Sequence, residues 1–518
     1  LSTKPEEAKN FKGVLTVKSK VIFTIIALLL TQAAAVFAAP MDYPGISDEY
    51  LYKEVLFITG EPVELSGTVK VTEKESKGYI VTSSTYNLEN AVLGIKLKRT
   101  VSTRTALEVR EDIGQTVSTT TLDKFSESIT TPDARYKLEE YILNGSRVTH
   151  NKPIADFFSG NWQGKKVYSV NNGGGQVTIE TIGQDIGYDH CWGSVTTSRV
   201  DGYVDARMDV QLADDVENVR WDGDFSYIVS STTSKYLSYI KNAPSQISFG
   251  GGYMLTEEQE NIIEYSYDLP RMDGDGLPHP RNRERGGDSF VLKTVPRYQR
   301  LLIPELKDIA GHWAQDEIEA LYSLGVFPHT SAYFGPGLPM LRSDFARAIA
   351  EVAGLLPKED TKARSPAQRP QPGGQAGNGS AAAGRSFSDV SQSHPDYDYI
   401  MEVEKRGIIQ GVGPGRFAPD GVLTRAQAIT IMIRALGFEN IAPSPGFRTG
   451  FADDHQIPDW AMDSVYAASE IGLVNGDAYG NLNPNEVLNR AEAAVFLYRF
   501  IRYLQSDIKR DYRDRILY

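Results

Sequence analysis

The stretch Leu423-Thr424-Arg425-Ala426-Gln427 decides how the C-terminal part of this chain is read. A near copy stands at Leu488-Asn489-Arg490-Ala491-Glu492, and a weaker one, Leu341-Arg342-Ser343-Asp344, lies upstream. With the arginines in register, apolar residues recur behind each at helical spacing. The first copy has Phe345, Ala348, Ile349 and Val352, the second Ala428, Ile431, Met432 and Ala435, the third Ala493, Phe496, Leu497 and Phe500. One buried helix face is therefore written three times, in units of about 50 residues, the mark of a repeat module.

Local signals outside the helices agree. Thr424 with Gln427, and Asn489 with Glu492, have the spacing of a capping box, in which hydroxyl or amide and N3 side chain satisfy each other's orphan N–H groups. Leu341 stands where the first copy's cap belongs, which weakens that helix start by about 1 kcal/mol. Before each arginine come Phe334, Phe417 or Leu482 and then Pro336, Pro419 or Pro484. A second helix precedes each of these turns, with Ile318 and Leu321, Ile400 and Val403, or Val465 and Ala468 on its apolar face. Gly325, Gly407 and Gly472 follow as stop residues. Asp308, Asp389 and Asp453 stand upstream of these helices.

The combined order of Phe-x-Asp-Val, His-Trp-Ala, Gly-Ile, Gly-x-Phe-x-Pro and Leu-Thr-Arg-Ala-Glu/Gln resembles the S-layer homology (SLH) repeat. The resemblance covers about 305–503. It implies an all-α, pseudo-threefold bundle that holds bacterial surface proteins on the cell wall. In that family the grooves between repeats bind a pyruvylated sugar of an anionic secondary cell-wall polysaccharide.

An arginine at the first helical position faces the positive end of the helix dipole, unfavourable by about 0.3–1 kcal/mol. A bound carboxylate reverses that, meeting the guanidinium fork and free backbone N–H groups together. The competing reading is an internal ion pair of Arg342, Arg425 and Arg490 with Asp308, Asp389 and Asp453. The residues leave both open, and the resemblance favours glycan binding, with the aspartates orienting the arginines. Trp313 and Trp460 are suited to stack on a sugar face, although helical spacing alone favours core packing. Gly411 and Gly476 match the family glycine where backbone approaches a ligand. The first unit lacks that glycine and the Thr and Glu of the arginine motif. The second has Pro395 in place of the Trp.

The rest of the chain sets the context. Lys12, Lys18 and Lys20 precede the apolar run from Val21 to Leu30, and Val36-Phe37-Ala38 reads as a cleavage site, so 1–38 is expected to be a secretory signal peptide. The 518 residues carry a formal net charge of −13, and that segment removes five Lys and only two Glu, leaving the remainder more acidic still. Such a balance argues against nucleic-acid partners, so any grip on an anionic glycan is local. The single cysteine, Cys191, excludes an intrachain disulfide. Beside His190 it reads as a half-buried structural thiol, not a catalytic dyad.

Residues 39–300 read as a β-rich surface region, from alternation at Val63, Leu65, Val69 and Val71, from 94–108, 116–122, 176–182 and 195–204, and from turns such as Asn171-Asn172-Gly173. Short helices are expected at 133–143 and 256–264, a surface connector at 268–288, and one β domain or two with a break near 150–160. SLH repeats are expected at 305–357, 386–440 and 449–503. A Pro/Gly/Ala-rich linker (358–385) separates the first two, and a basic tail (504–518) follows. The linker leaves open whether the first repeat packs with the others or stands detached.

No phosphate loop, nucleophile elbow, zinc motif or completed calcium loop is present; Asp222-Gly223-Asp224 and Asp273-Gly274-Asp275 read as solvated turns. The expectation is a multidomain, secreted, cell-wall structural protein of S-layer type, with no catalytic residue, metal or cofactor. It is anchored by SLH repeats to wall polysaccharide and self-associates in a surface lattice. The alternative is an SLH-anchored hydrolase of polysaccharide.

Overall fold

The computed structural model describes residues 45–47, 51–76, 78–211, 216–241, 251–273, 277–355, 387–443 and 446–508. The expected signal peptide at 1–38, the linker at 358–385 and tail residues 509–518 lie outside the described residues.

The N-terminal region is one antiparallel meander. Its strands are β1 (Gly45–Ser47), β2 (Tyr52–Leu56), β3 (Val63–Ser76), β4 (Tyr79–Asn90), β5 (Ile95–Arg110), β6 (Gln115–Thr130), β7 (Arg135–Asn151), β8 (Ala155–Val170), β9 (Gly175–His190), β10 (Gly193–Gln211), β11 (Val216–Ile240), β12 (Gly252–Met272), β13 (Pro278–Lys293) and β14 (Arg297–Leu302). Each strand from β1 to β12 pairs with the next, and β14 returns to pair with β12. The sheet curls into a half-barrel. Phe57, just after β2, stacks on Phe225 of β11 with ring centroids 4.3 Å apart and meets Tyr265 of β12 at 6.0 Å.

Period-two alternation builds the inner face. On β5, Ile95, Leu97, Arg99 and Val101 are buried while Lys96, Lys98 and Thr100 are exposed. Large inward rings lie flat over glycines of the neighbouring strand. A Cβ on Gly183 would sit 2.1 Å from Trp162, and one on Gly202 would sit 2.2 Å from Phe225, so these positions exclude any side chain.

Inside the half-barrel, Arg99 is held between two carboxylates. Its Nη1 donates to Glu54 Oε2 at 2.7 Å and its Nε to Glu127 Oε2 at 2.9 Å, and Tyr168 OH donates to Glu127 at 3.2 Å. Burial opposes the charge on Glu127. The Arg99 and Lys166 cations and the donated hydrogen bonds outweigh it and hold the carboxyl below its usual range. Arg99, Glu127, Lys166, Tyr168 and Thr181 line a cavity of about 40 Å³, room for a water or two.

Four expectations for this region are corrected. Residues 133–143 form no helix and lie mostly in β7. A bulge between Leu138 and Glu140 shifts the apolar phase, so buried Leu138 and Tyr141 stand three apart and mimic helical spacing. Residues 256–264, rich in helix-forming Glu, lie in β12, where cross-strand packing overrides propensity. The connector expected at 268–288 is the β12–β13 hairpin; its prolines fit because β13 is an edge strand beside a bulge at Pro270/Met272. The expected break near 150–160 is only the turn between β7 and β8, inside one sheet.

Among the described residues six α-helices follow: α1 (Gln315–Ser323), α2 (Arg342–Val352), α3 (Tyr397–Lys405), α4 (Arg425–Leu436), α5 (Met462–Glu470) and α6 (Arg490–Arg502). The helix start and stop signals hold here. Both capping boxes form, at Thr424/Gln427 and Asn489/Glu492, and Leu341 provides no side-chain cap. Gly325, Gly407 and Gly472 are left-handed, with φ of 77°, 72° and 71°. Their core is shared with the sheet: Phe157, Tyr188 and Trp192 belong to one cluster with Ala346, Ile349 and Leu436.

Candidate functional site

The helix starts are tied together by main chain. Met340 N donates to Leu488 O at 2.8 Å, Leu488 N to Leu423 O at 2.8 Å, and Leu423 N to Met340 O at 3.0 Å, a closed ring of three hydrogen bonds. Each arginine then docks on the turn of the next repeat. Arg342 N donates to Gly421 O at 2.9 Å, Arg425 N to Glu486 O at 3.0 Å, and Arg490 N to Leu338 O at 2.9 Å. The first repeat is therefore packed between the other two, and the detached alternative does not hold.

Asp308, Asp389 and Asp453 pin those turns. Asp308 accepts from Phe334 N at 2.8 Å and Gly335 N at 2.6 Å; Asp389 accepts from Phe417 N at 2.8 Å and Ala418 N at 2.7 Å. Asp453 accepts from Leu482 N and Asn483 N, both at 2.7 Å. For Asp308 and Asp389, slight burial is outweighed by these N–H groups, which hold the carboxyls below their usual range. Among the described residues no salt bridge joins these aspartates to Arg342, Arg425 or Arg490. The direct ion pair considered from sequence is thus replaced by an indirect one, because each carboxylate is occupied by its own turn.

The carboxylates that do face the arginines were missed. Arg425 Nη2 donates to Glu492 Oε1 at 2.9 Å, and Arg490 Nη1 lies 3.6 Å from Asp344 Oδ2. Glu492 and Asp344 share one register, two residues after an arginine, and Gln427 holds the same place in the second repeat. That regularity was visible; which repeat faces which was not. Phe496 and Phe334 lie beneath the guanidiniums of Arg425 and Arg490, at 5.8 and 4.8 Å.

The three positions differ. Arg342 donates through Nε to Phe417 O and through Nη2 to Gln410 O, both at 2.9 Å, and is only 6% exposed. Burial pulls its guanidinium pKa down despite Asp389 nearby. Arg425 and Arg490, by contrast, each keep a buried Nε without a hydrogen-bond partner, a cost unless a ligand or water accepts from it.

Trp313 and Trp460 are 66% and 54% exposed, so the core-packing expectation fails. Both lie ahead of the helix proper, where Ala314 and Ala461 fill the buried position instead. Gly411 and Gly476 have a local reason to be glycine: a Cβ would meet Arg416 O at 2.5 Å or Gly480 C at 3.0 Å. Cys191 is half-buried as expected; burial pushes its thiol up to about 12.

The S-layer homology domain family matches residues 305–346, 386–429 and 450–494. The chain carries three SLH domains in its C-terminal region. Among relatives, the exoglucanase XynX of Acetivibrio thermocellus is 30% identical over 198 residues, 37% of this chain and 16% of the relative. The S-layer protein of Bacillus thuringiensis subsp. finitimus is 25% identical over 203 residues, 38% of this chain and 21% of the relative. The S-layer protein sap of Bacillus anthracis is 32% identical over 192 residues, 36% of this chain and 20% of the relative. The chain thus spans no more than about a fifth of the length of these relatives. A solved double mutant of the Serratia marcescens hemophore receptor HasR, with its hemophore HasA and heme, covers 50% of this chain and 57% of its own at 9% identity. The TM-score is 0.17. With its SLH domains and S-layer relatives, the chain is a secreted protein of the cell surface or cell wall.

Proposed function

We propose that this is a structural, S-layer-type surface protein whose SLH repeats, as a pseudo-threefold bundle, anchor it non-covalently to pyruvylated secondary cell-wall polysaccharide. The observation that carries the reading is the unpartnered, buried Nε of Arg425 and of Arg490, each at a helix start with aromatic backing. A ligand carboxylate there gains charge-assisted hydrogen bonds of about 1.5–3 kcal/mol each. Arg342, with Nε and Nη2 engaged by carbonyls, holds the first two repeats together and leaves two clefts for glycan. The exposed Trp313 and Trp460 supply stacking faces. The β-rich half-barrel projects from this anchor and self-associates in a lattice.

A hydrolase is the second reading, favoured by a relative named as an exoglucanase. Glycoside hydrolysis needs two carboxyls facing a sugar, one with a raised pKa. Glu54 and Glu127 are instead clamped on Arg99 beside a cavity of about 40 Å³, which supports the structural reading. Full-length protein mixed with cell-wall sacculi should sediment with them and fail to do so once the secondary polymer is stripped. Release of reducing sugar from the same sacculi supports the hydrolase instead.

A further inference from the structure

The helical region has two poles. One carries the main-chain ring of Met340, Leu423 and Leu488 and the N-termini of α2, α4 and α6, with their arginines. The other carries the C-terminal ends, and there the sheet meets them. Val352 O, at the end of α2, accepts from Trp192 Nε1 at 2.8 Å and from Cys191 Sγ at 3.4 Å. Gly437, the C-cap of α4, lies so close to Lys152 that a Cβ would be 2.7 Å from its Cδ. Arg406, the C-cap of α3, donates Nη1 to Pro153 O at 2.9 Å.

These contacts come from two hairpin tips, β7–β8 and β9–β10, and their apolar residues Ile154, Phe157 and Trp192 join the helical core. The connection out of β14 is buried in the same core through Leu306 and Ile309. Several independent points of attachment and a shared core define a mount, where a single tether would leave the two parts free to turn.

We propose that these two hairpin tips, anchored on Trp192, fix the sheet to the pole opposite the arginines, so that glycan and sheet occupy opposite ends of the SLH region. A wall-bound molecule then presents the far turns, at 91–94 and 171–174, to the medium. Helices of 11 to 13 residues separate the poles by about 16–20 Å. The 16 residues of β8 carry the sheet about 50 Å beyond the mount. The outward direction rests on the glycan reading; the mount does not.

The test uses the full chain with cysteines introduced by Val92→Cys, 94% exposed in a far turn, and Tyr479→Cys, 84% exposed on the turn leading to Pro484. Cys191, free and only half-buried, is replaced by Cys191→Ala in every variant, so that only the two introduced thiols carry a label. Spin labels at the two positions should give one narrow distance distribution, broadened by Trp192→Ala and retained in large part by Trp192→Phe. A broad distribution with Trp192 intact overturns the mount. On sacculi, a bulky maleimide should label Val92→Cys as in solution and lose access to Tyr479→Cys; the opposite pattern overturns the outward orientation. Failure to sediment at all speaks against the glycan reading, while the spin-label arm still decides the mount.

Discussion

Arg425 Nη2 donates to Glu492 Oε1 at 2.9 Å across the boundary between the second and third repeats. The same carboxylate accepts from Asn489 N at 3.1 Å through its other oxygen. Glu492 therefore caps one helix and occupies part of the guanidinium that an anionic sugar would use. Occupied by carboxylate at Arg425, by a longer contact at Arg490 and by carbonyls at Arg342, the three starts form a graded series.

Glu492→Gln should tighten binding. The amide oxygen still caps α6, while removal of the competing charge frees Arg425. The expected gain is about 0.3–1 kcal/mol, a few-fold in affinity for polymer-bearing sacculi. Weaker binding with an intact fold would mean that Glu492 positions Arg425.

Arg342→Ala should damage stability and spare binding. It leaves Phe417 O and Gln410 O without their donor in a buried place, a loss of about 2–4 kcal/mol. The urea midpoint of the helical transition should fall, with the affinity of the protein that remains folded unchanged.

Ala418 sits at φ 57°, where the first repeat has Gly335 at φ 69°. The left-handed region penalises Ala through its Cβ, so Ala418→Gly should stabilise the protein by about 1 kcal/mol. Gly335→Ala should cost a similar amount. Thermal melts of both variants check the sign.

His190 and Asp189 titrate against each other. Burial pulls the His190 pKa down to about 3. Its folded pKa lies below the unfolded one, so its stability is complete above about pH 6.5 and is lost as pH falls toward 3. Burial, then Asp156, pushes Asp189 up to about 6. Its folded pKa lies above the unfolded one, so it adds stability as pH falls from about 6 to about 4. The two offset each other in wild type. In His190→Gln the Asp189 contribution stands alone, and the urea midpoint should rise relative to wild type between pH 6 and 4. Parallel curves for the two proteins contradict this.

The helical region was legible from sequence because its signals are local. Caps at Thr424 and Asn489, stops at Gly325, Gly407 and Gly472, and the apolar stripe behind each arginine need no knowledge of the partner. The site was half legible. Arg425 and Arg490 stood out by position, but Glu492 and Asp344 acquire meaning only once the repeats are known to close head to tail. Trp313 misled because its helix begins two residues later, at Gln315. In the sheet, alternation marked strands well, yet one bulge at Leu138 sufficed to imitate a helix. That thirteen strands would pair in sequence order and a fourteenth return to β12 follows from nonlocal pairing that no window of sequence contains.

The most direct measurement is sedimentation of the full-length double variant Arg425→Ala with Arg490→Ala on polymer-bearing and polymer-stripped sacculi, with helix content followed by circular dichroism. The account predicts that wild type binds only the polymer-bearing walls and that the folded double variant binds neither. Undiminished binding by the double variant would contradict it.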